Sequence, residues 1–145
     1  MVQRVETTRA NGSAAGEVES VLIRVPAHKD YLVVVRSALA QLGARLGYTV
    51  AEIIDLRLAV DETCCLLIGE NPPDGPPRGD LECRVRVGPG TLRIMVCASA
   101  ADVRPPDRDG FGWKVLTALV DSLTWVRDGS IARVEMEKRH SPLLR

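Results

Sequence analysis

At 145 residues the chain is long enough to bury a core as one domain without disulfide or metal staples. Lysine plus arginine and aspartate plus glutamate each number 19, so no net field draws the protein onto DNA, RNA or an anionic membrane, and an aromatic content of 3% leaves few platforms for stacking single-stranded bases. Direct nucleic-acid binding and membrane association are therefore not expected.

Residues 1–17 are small, polar and unpatterned, and a mobile tail is expected there. They hold no apolar run of signal-peptide length, and no later stretch approaches the ~18 uninterrupted apolar residues of a transmembrane helix, so a cytoplasmic chain is expected. Val21, Leu22, Ile23, Arg24 and Val25 read as a strand that stops at Pro26, at a sheet edge or start. Leu32, Val35, Leu39, Leu42 and Leu46 recur at spacings of three and four, which predicts an amphipathic helix over about 29–46, with Gly47 just beyond it. Thr49-Val50-Ala51-Glu52 has the spacing of a capping box and opens a second helix to about residue 68, whose core stripe is Ile53, Leu56, Val60, Cys64 and Leu67. The proline-rich run 71–79 reads as an exposed loop.

Leu81, Cys83, Val85 and Val87, and then Leu92, Ile94 and Val96, alternate with polar neighbours, which predicts a hairpin with Val87 opposite Leu92 and Cys83 opposite Val96. Because Pro89 cannot take a positive φ, a four-residue loop over Gly88-Pro89-Gly90-Thr91 is expected. A third helix is predicted over about 110–122, with Val115, Leu116, Leu119, Val120 and then Leu123 inward. A last hairpin over 123–127 and 130–138 turns at Asp128-Gly129, with Leu123 and Trp125 on the face of Ala132, Val134 and Met136. The end of the chain should fray. The expected organisation is thus a tail, 1–17, a single domain, 18–139, and a frayed terminus, 140–145. The order strand, helix, helix, hairpin, helix, hairpin predicts an α+β two-layer sandwich, three helices on one face of a mostly antiparallel sheet.

The cysteines at 64, 65, 83 and 97 form no CxxC and have no histidine at ligand spacing, so they read as reduced thiols rather than a zinc site. The predicted register turns Cys97 away from Cys83, which disfavours a disulfide. Core packing is favoured over redox sensing for Cys64 and Cys65, because no cation adjoins them in sequence. Asp61 lies four residues after Arg57 and reads as its helical ion-pair partner, while Arg36 and Arg45 read as exposed charges. Trp113 reads first as a core anchor and second as an interface anchor. His28 and His140 suggest no role.

Leu56-Arg57-Leu58-Ala59-Val60-Asp61-Glu62-Thr63-Cys64 resembles the glutamate-bearing helix of the GHKL (histidine kinase/HSP90-like) ATPase superfamily, in its anti-sigma-factor serine-kinase branch. Gly110-Phe111-Gly112-Trp113-Lys114-Val115-Leu116-Thr117-Ala118-Leu119-Val120-Asp121 resembles that branch's second glycine box, and the element order over 18–138 also fits, with the nearest likeness to actinobacterial anti-sigma factors. The resemblance implies a nucleotide pocket of this fold, with Glu62 as general base and Glu62, Gly110, Phe111 and Gly112 at the nucleotide. It also implies two departures. The magnesium-ligating asparagine is replaced by Leu66, which offers no oxygen to a hard cation. The adenine-binding aspartate is replaced by Ala98 within Val96-Cys97-Ala98-Ser99-Ala100-Ala101-Asp102, and Asp102 lies too far along to substitute without a register shift.

Outside the resemblance, Glu62 reads as a solvated helix acid, and Gly110 and Gly112 as residues that end a loop and start a helix. Within it, the expected function is an anti-sigma factor that sequesters an alternative sigma factor and is released by an anti-anti-sigma protein of STAS type, as a homodimer in a stress response. ATP binding is expected to be weak or absent and magnesium to be disfavoured. The alternative is an active ATP-dependent serine kinase acting on the anti-anti-sigma protein.

Overall fold

Alternating apolar residues in the strands and a three-and-four spacing in the helices meet in one core. The computed structural model describes residues 4–9, 19–69, 79–99 and 105–141. In chain order the elements are β1 (Arg4–Arg9), β2 (Glu19–Pro26), a 3-10 turn (Lys29–Tyr31), α1 (Leu32–Arg45), α2 (Val50–Ile68), β3 (Asp80–Gly88), β4 (Thr91–Ser99), α3 (Phe111–Leu119), β5 (Ser122–Asp128) and β6 (Ile131–Arg139). The strands form one antiparallel sheet in the order β1-β2-β3-β4-β6-β5.

One face of this sheet is buried: Val21, Ile23 and Val25 from β2, Leu81, Cys83 and Val85 from β3, Leu92, Ile94 and Val96 from β4, and Ala132, Val134 and Met136 from β6. Against it lie Leu32, Val35 and Leu39 of α1 and Leu56, Val60, Cys64 and Leu67 of α2. Each fully buried Leu, Val or Ile contributes roughly 1.5–3 kcal/mol, so a one-residue slip in register would forfeit a whole row of such contributions. Val87 stands opposite Leu92 and Cys83 opposite Val96, as the alternation predicts. Cys97 pairs with Glu82 and Arg133 on the other face, away from Cys83. Leu123 faces Met136 and Trp125 faces Val134, the expected second register. Among the described residues no helix is long and apolar enough to cross a membrane.

The structure departs from the sequence expectations in several places. Residues 4–9, expected within a mobile tail, form a strand that pairs with β2 from Arg4 opposite Arg24 to Arg9 opposite Glu19. An open sheet edge supplies backbone partners that composition alone does not reveal, and Val5, Thr7 and Thr8 are β-branched. β2 is consequently an interior strand, with Pro26 at its last position. The β3–β4 turn is shorter than expected: Gly88 pairs with Thr91, leaving Pro89 and Gly90 as a two-residue loop. Gly90 supplies the positive φ, +61°, while Pro89 sits at the position before it, the arrangement of a type II turn. α3 stops at Leu119 rather than near 122, because Val120 is extended and the Asp121 N–H donates to the Glu137 carbonyl (2.8 Å), handing the chain to the sheet. The proline-rich segment 71–78 lies outside the described residues.

The chain end is held where fraying was expected, up to Ser141. His140, for which the sequence suggested no role, stacks on Tyr48 at a centroid distance of 5.8 Å. Its Nδ1 lies 2.8 Å from Glu52 Oε1, and its backbone N–H donates to the Gly90 carbonyl (2.8 Å). The Ser141 N–H donates to Glu52 Oε2 (2.8 Å). Glu52 therefore serves both the capping box, in which Thr49 N–H donates to it (2.8 Å) and its own N–H donates to Thr49 Oγ1 (3.1 Å), and the C-terminal latch. The Tyr48 hydroxyl donates to the Lys138 carbonyl (2.5 Å), and burial pushes its pKa up to about 12. His28 likewise acquires a structural part, accepting from the Asp30 N–H (3.1 Å) and capping the 3-10 turn.

Burial raises the Glu52 pKa, but the donors from Thr49, Ser141 and His140 more than reverse this and hold it at about 2, against an ordinary 4.5. The folded-state pKa is depressed, so the contribution is complete above about pH 4.5 and is lost as pH falls towards 2. The stability advantage of the wild type over Glu52→Gln, read from urea midpoints, should shrink steadily across that window. His140→Ala should cost roughly 1–2 kcal/mol at neutral pH, from a lost hydrogen bond and ring contact, and should raise amide exchange at residues 139–141.

Candidate functional site

The second helix is the platform. Its stripe Leu56, Val60, Cys64 and Leu67 is fixed in the core, which leaves Asp61, Glu62, Cys65 and Leu66 on the flanks and outer side. Against that outer side comes the start of α3. Gly110 is its N-cap with extended backbone (φ −73°, ψ 156°) and no side chain caps the helix. The first intrahelical bond runs from Lys114 N–H to the Gly110 carbonyl (3.1 Å), so the N–H groups of Phe111, Gly112 and Trp113 have no intrahelical acceptor. Such an open N-terminus favours an anion.

Glu62 and Gly112 are brought together. A Cβ built on Gly112 would lie 2.8 Å from Glu62 Oε1, inside any tolerated contact. A Cβ on Gly110 would lie 3.0 Å from the Asp107 carbonyl oxygen. Neither glycine has a positive φ. Their purpose is close approach, of a carboxylate in one case and of the preceding loop in the other, and not the conformational freedom that a loop end would need. That loop is shaped by Asp107, whose Oδ1 accepts from the Asp109 N–H (3.0 Å) and whose carbonyl accepts from the Gly110 N–H (2.9 Å). Phe111 is 85% exposed beside the site, whereas Trp113 is 9% exposed and joins the core, the first of its two expected roles.

The positions expected to hold metal and adenine do not carry the chemistry. Leu66 is half-buried and packs against the hydrophobic core, so neither its side chain nor its placement suits a hard cation. Ala98 is buried between Leu81 on β3 and Ala132 on β6 and presents only a methyl group. Asp102 lies outside the described residues. The residues present thus fit the phosphate end of a nucleotide better than its base, and they do not fit magnesium.

Asp61 does not pair with Arg57. Its Oδ2 accepts from Arg36 Nη1 of α1 (2.9 Å), and Arg57 is exposed. Arg36, read from the sequence as an exposed charge, is half-buried and ties α1 to α2 one residue before Glu62. Arg36 Nε and Asp61 Oδ1 are buried with no hydrogen-bond partner among the described residues. Sequence reasoning missed this contact because it spans 25 residues, and local spacing offered a nearer cation. The cysteines are free thiols. Cys64 is buried in the core, and Cys65, expected to pack there too, is exposed, since adjacent helical side chains diverge by roughly 100°. Burial, then the Glu62 and Asp61 carboxylates, push the Cys65 thiol up, while burial pushes Cys83 up to about 12. Neither is set up as a thiolate nucleophile.

Comparison with known proteins places these observations in a lineage. Over 116 residues, 77% of this chain and 64% of the relative, the sequence is 35% identical to anti-sigma-F factor RsbW of Mycobacterium tuberculosis. It is 43% identical over 74 residues to serine-protein kinase RsbW of Bacillus subtilis, covering 51% of this chain and 46% of the relative. Serine-protein kinase RsbW of Bacillus velezensis is 29% identical over 79 residues, 54% of this chain and 49% of that protein. The chain spans less than two thirds of the length of these curated relatives. A family model described as "Histidine kinase-like ATPase domain" matches residues 25–138, from the end of β2 to the penultimate residue of β6, and so takes in both Glu62 and the Gly110-x-Gly112 box. The chain belongs to the histidine kinase-like ATPase domain family.

Proposed function

We propose that this protein is an anti-sigma factor that binds and sequesters an alternative sigma factor, is released by an anti-anti-sigma protein of STAS type, and retains only a degenerate nucleotide pocket. It acts in this reading as a cytoplasmic homodimer in a stress response. The observation that carries it is the combination at the site: Glu62 rests against Gly112, while Leu66 packs against the core and Ala98 presents a methyl group. A phosphoryl group transferred here would lack the metal that ordinarily compensates its developing charge. The names of the mycobacterial and Bacillus relatives support the partner class.

In this reading the chain's own residues do limited work at a nucleotide. The open N–H groups at the start of α3 would hold a phosphate, and the Glu62 carboxylate at the same helix end would compete with it for that positive potential. ATP binding is accordingly weak or absent. The second reading, an active serine kinase, is favoured by one feature, the placement of Glu62 at the pocket as a base for a substrate hydroxyl.

Calorimetric titration of ATP and ADP should show binding that is weak or undetectable and unaffected by magnesium. Leu66→Asn, which restores an oxygen ligand, should introduce a magnesium dependence of roughly tenfold, about 1.4 kcal/mol. A magnesium-dependent wild type with phosphate transfer to an anti-anti-sigma protein that vanishes in Glu62→Gln establishes the kinase reading instead. Gly112→Ala should leave the thermal midpoint within a few degrees, since the flexible Glu62 side chain can give way, while displacing that carboxylate from the helix end. A pull-down against the full set of sigma factors of the cell that recovers none rejects the anti-sigma reading. Sedimentation velocity tests the homodimer.

A further inference from the structure

The sheet face opposite the helices carries a charge arrangement that neither the pocket nor the core explains. On this face Arg84 of β3 stands in one cross-strand row with Met95 of β4, Glu135 of β6 and Thr124 of β5. The next row holds Arg86, Arg93, Glu137 and Ser122. The two rows line a groove of about 420 Å³. A second groove of about 450 Å³ shares Arg86, Arg93 and Glu137 with it and continues to Arg139.

The two carboxylates that line the first groove are already engaged. Glu137 pairs with Arg93 (3.2 Å) and Arg139 (2.6 Å), and Glu135 pairs with Arg133 (2.9 Å). Arg84 and Arg86 are exposed, and among the described residues no ion pair is made to either. In a chain whose formal charges cancel, these two guanidinium groups are a local positive excess. They are two residues apart on one strand, so they stand roughly 7 Å apart along it. That is the spacing of alternate side chains on an extended peptide.

We propose that this face docks an extended acidic segment of a partner protein that runs along β3, with carboxylates at alternate positions meeting Arg84 and Arg86. Arginine suits this because its planar fork binds a carboxylate through two parallel hydrogen bonds. A nucleic-acid strand fits less well, since Glu135 and Glu137 in the same groove repel a continuous phosphate backbone and the groove offers no aromatic platform. A second copy of this chain fits less well too, since the acids it would offer are already paired with its own arginines. The proposal is independent of the nucleotide pocket and of the identity of the sigma factor.

The test is fluorescence anisotropy on the full chain with a labelled ten-residue peptide bearing aspartate at alternate positions, threonine and valine between. A peptide of the same composition with its aspartates in one block, a single-stranded RNA of equal length and inorganic phosphate serve as competitors. The alternating peptide should bind at low ionic strength, weaken as salt rises, and lose about tenfold or more in affinity in Arg84→Ala/Arg86→Ala. Arg57→Ala, on the helical side of the molecule, should bind as the wild type does. Both double-variant positions are exposed, so the thermal midpoint should be retained. Equal affinity for the block peptide, competition by RNA or phosphate at matched charge, or undiminished binding by the double variant overturns the proposal. Dissociation of a wild-type dimer by Arg84→Glu/Arg86→Glu, with no peptide binding, assigns the face to a second copy and overturns it as well.

Discussion

Seating the apolar stripe of α2 on the buried face of the sheet is the constraint from which the rest follows. Leu56, Val60, Cys64 and Leu67 can lie on Val96, Val134 and their neighbours in only one rotational setting of the helix. That setting decides which α2 residues are left over: Glu62 turns to the start of α3, Asp61 to α1, and Cys65 to solvent. A helix rolled by one position would exchange Glu62 for a neighbour and dissolve the site, so the geometry of the pocket is inherited from core packing.

Two contacts that are neither hydrophobic nor local then fix the frame. The Arg36–Asp61 pair joins α1 to α2 beside the site, and the Glu52 carboxylate joins the start of α2 to the end of β6 through His140 and Ser141. Glu52 is a single residue serving two ends of the chain. Its capping partner is three residues away, while its latch partners are 88 and 89 residues away. The helix cap and the chain terminus are thus coupled, and loss of the carboxylate charge loosens both.

At the site, the flank of α2 meets the start of α3. Gly112 lets the Glu62 carboxylate approach the helix end, and Gly110 lets the preceding loop approach it. At the two positions where the resemblance places an oxygen ligand and an adenine acceptor, Leu66 packs against the core and Ala98 is buried in it. Apolar residues at these positions contribute to burial and leave no buried polar group in need of a partner.

Much of this was legible in the linear order of residues. The capping box at Thr49, both hairpin registers and the core stripes follow from periodicity and turn chemistry, because each involves neighbours whose spacing is set by helix or strand geometry. The likeness of 56–64 and 110–121 to a known family also pointed to Glu62 and Gly112, which the structure brings together. Where partners lie far apart in sequence, spacing carried no signal. Pairing of β1 with an open sheet edge, the switch of Asp61 from Arg57 to Arg36, the latch at His140, and the reason for Gly112 were decided by tertiary structure alone. Each depends on which surfaces the packed sheet and helices bring within a few ångströms, and chain order does not record that distance.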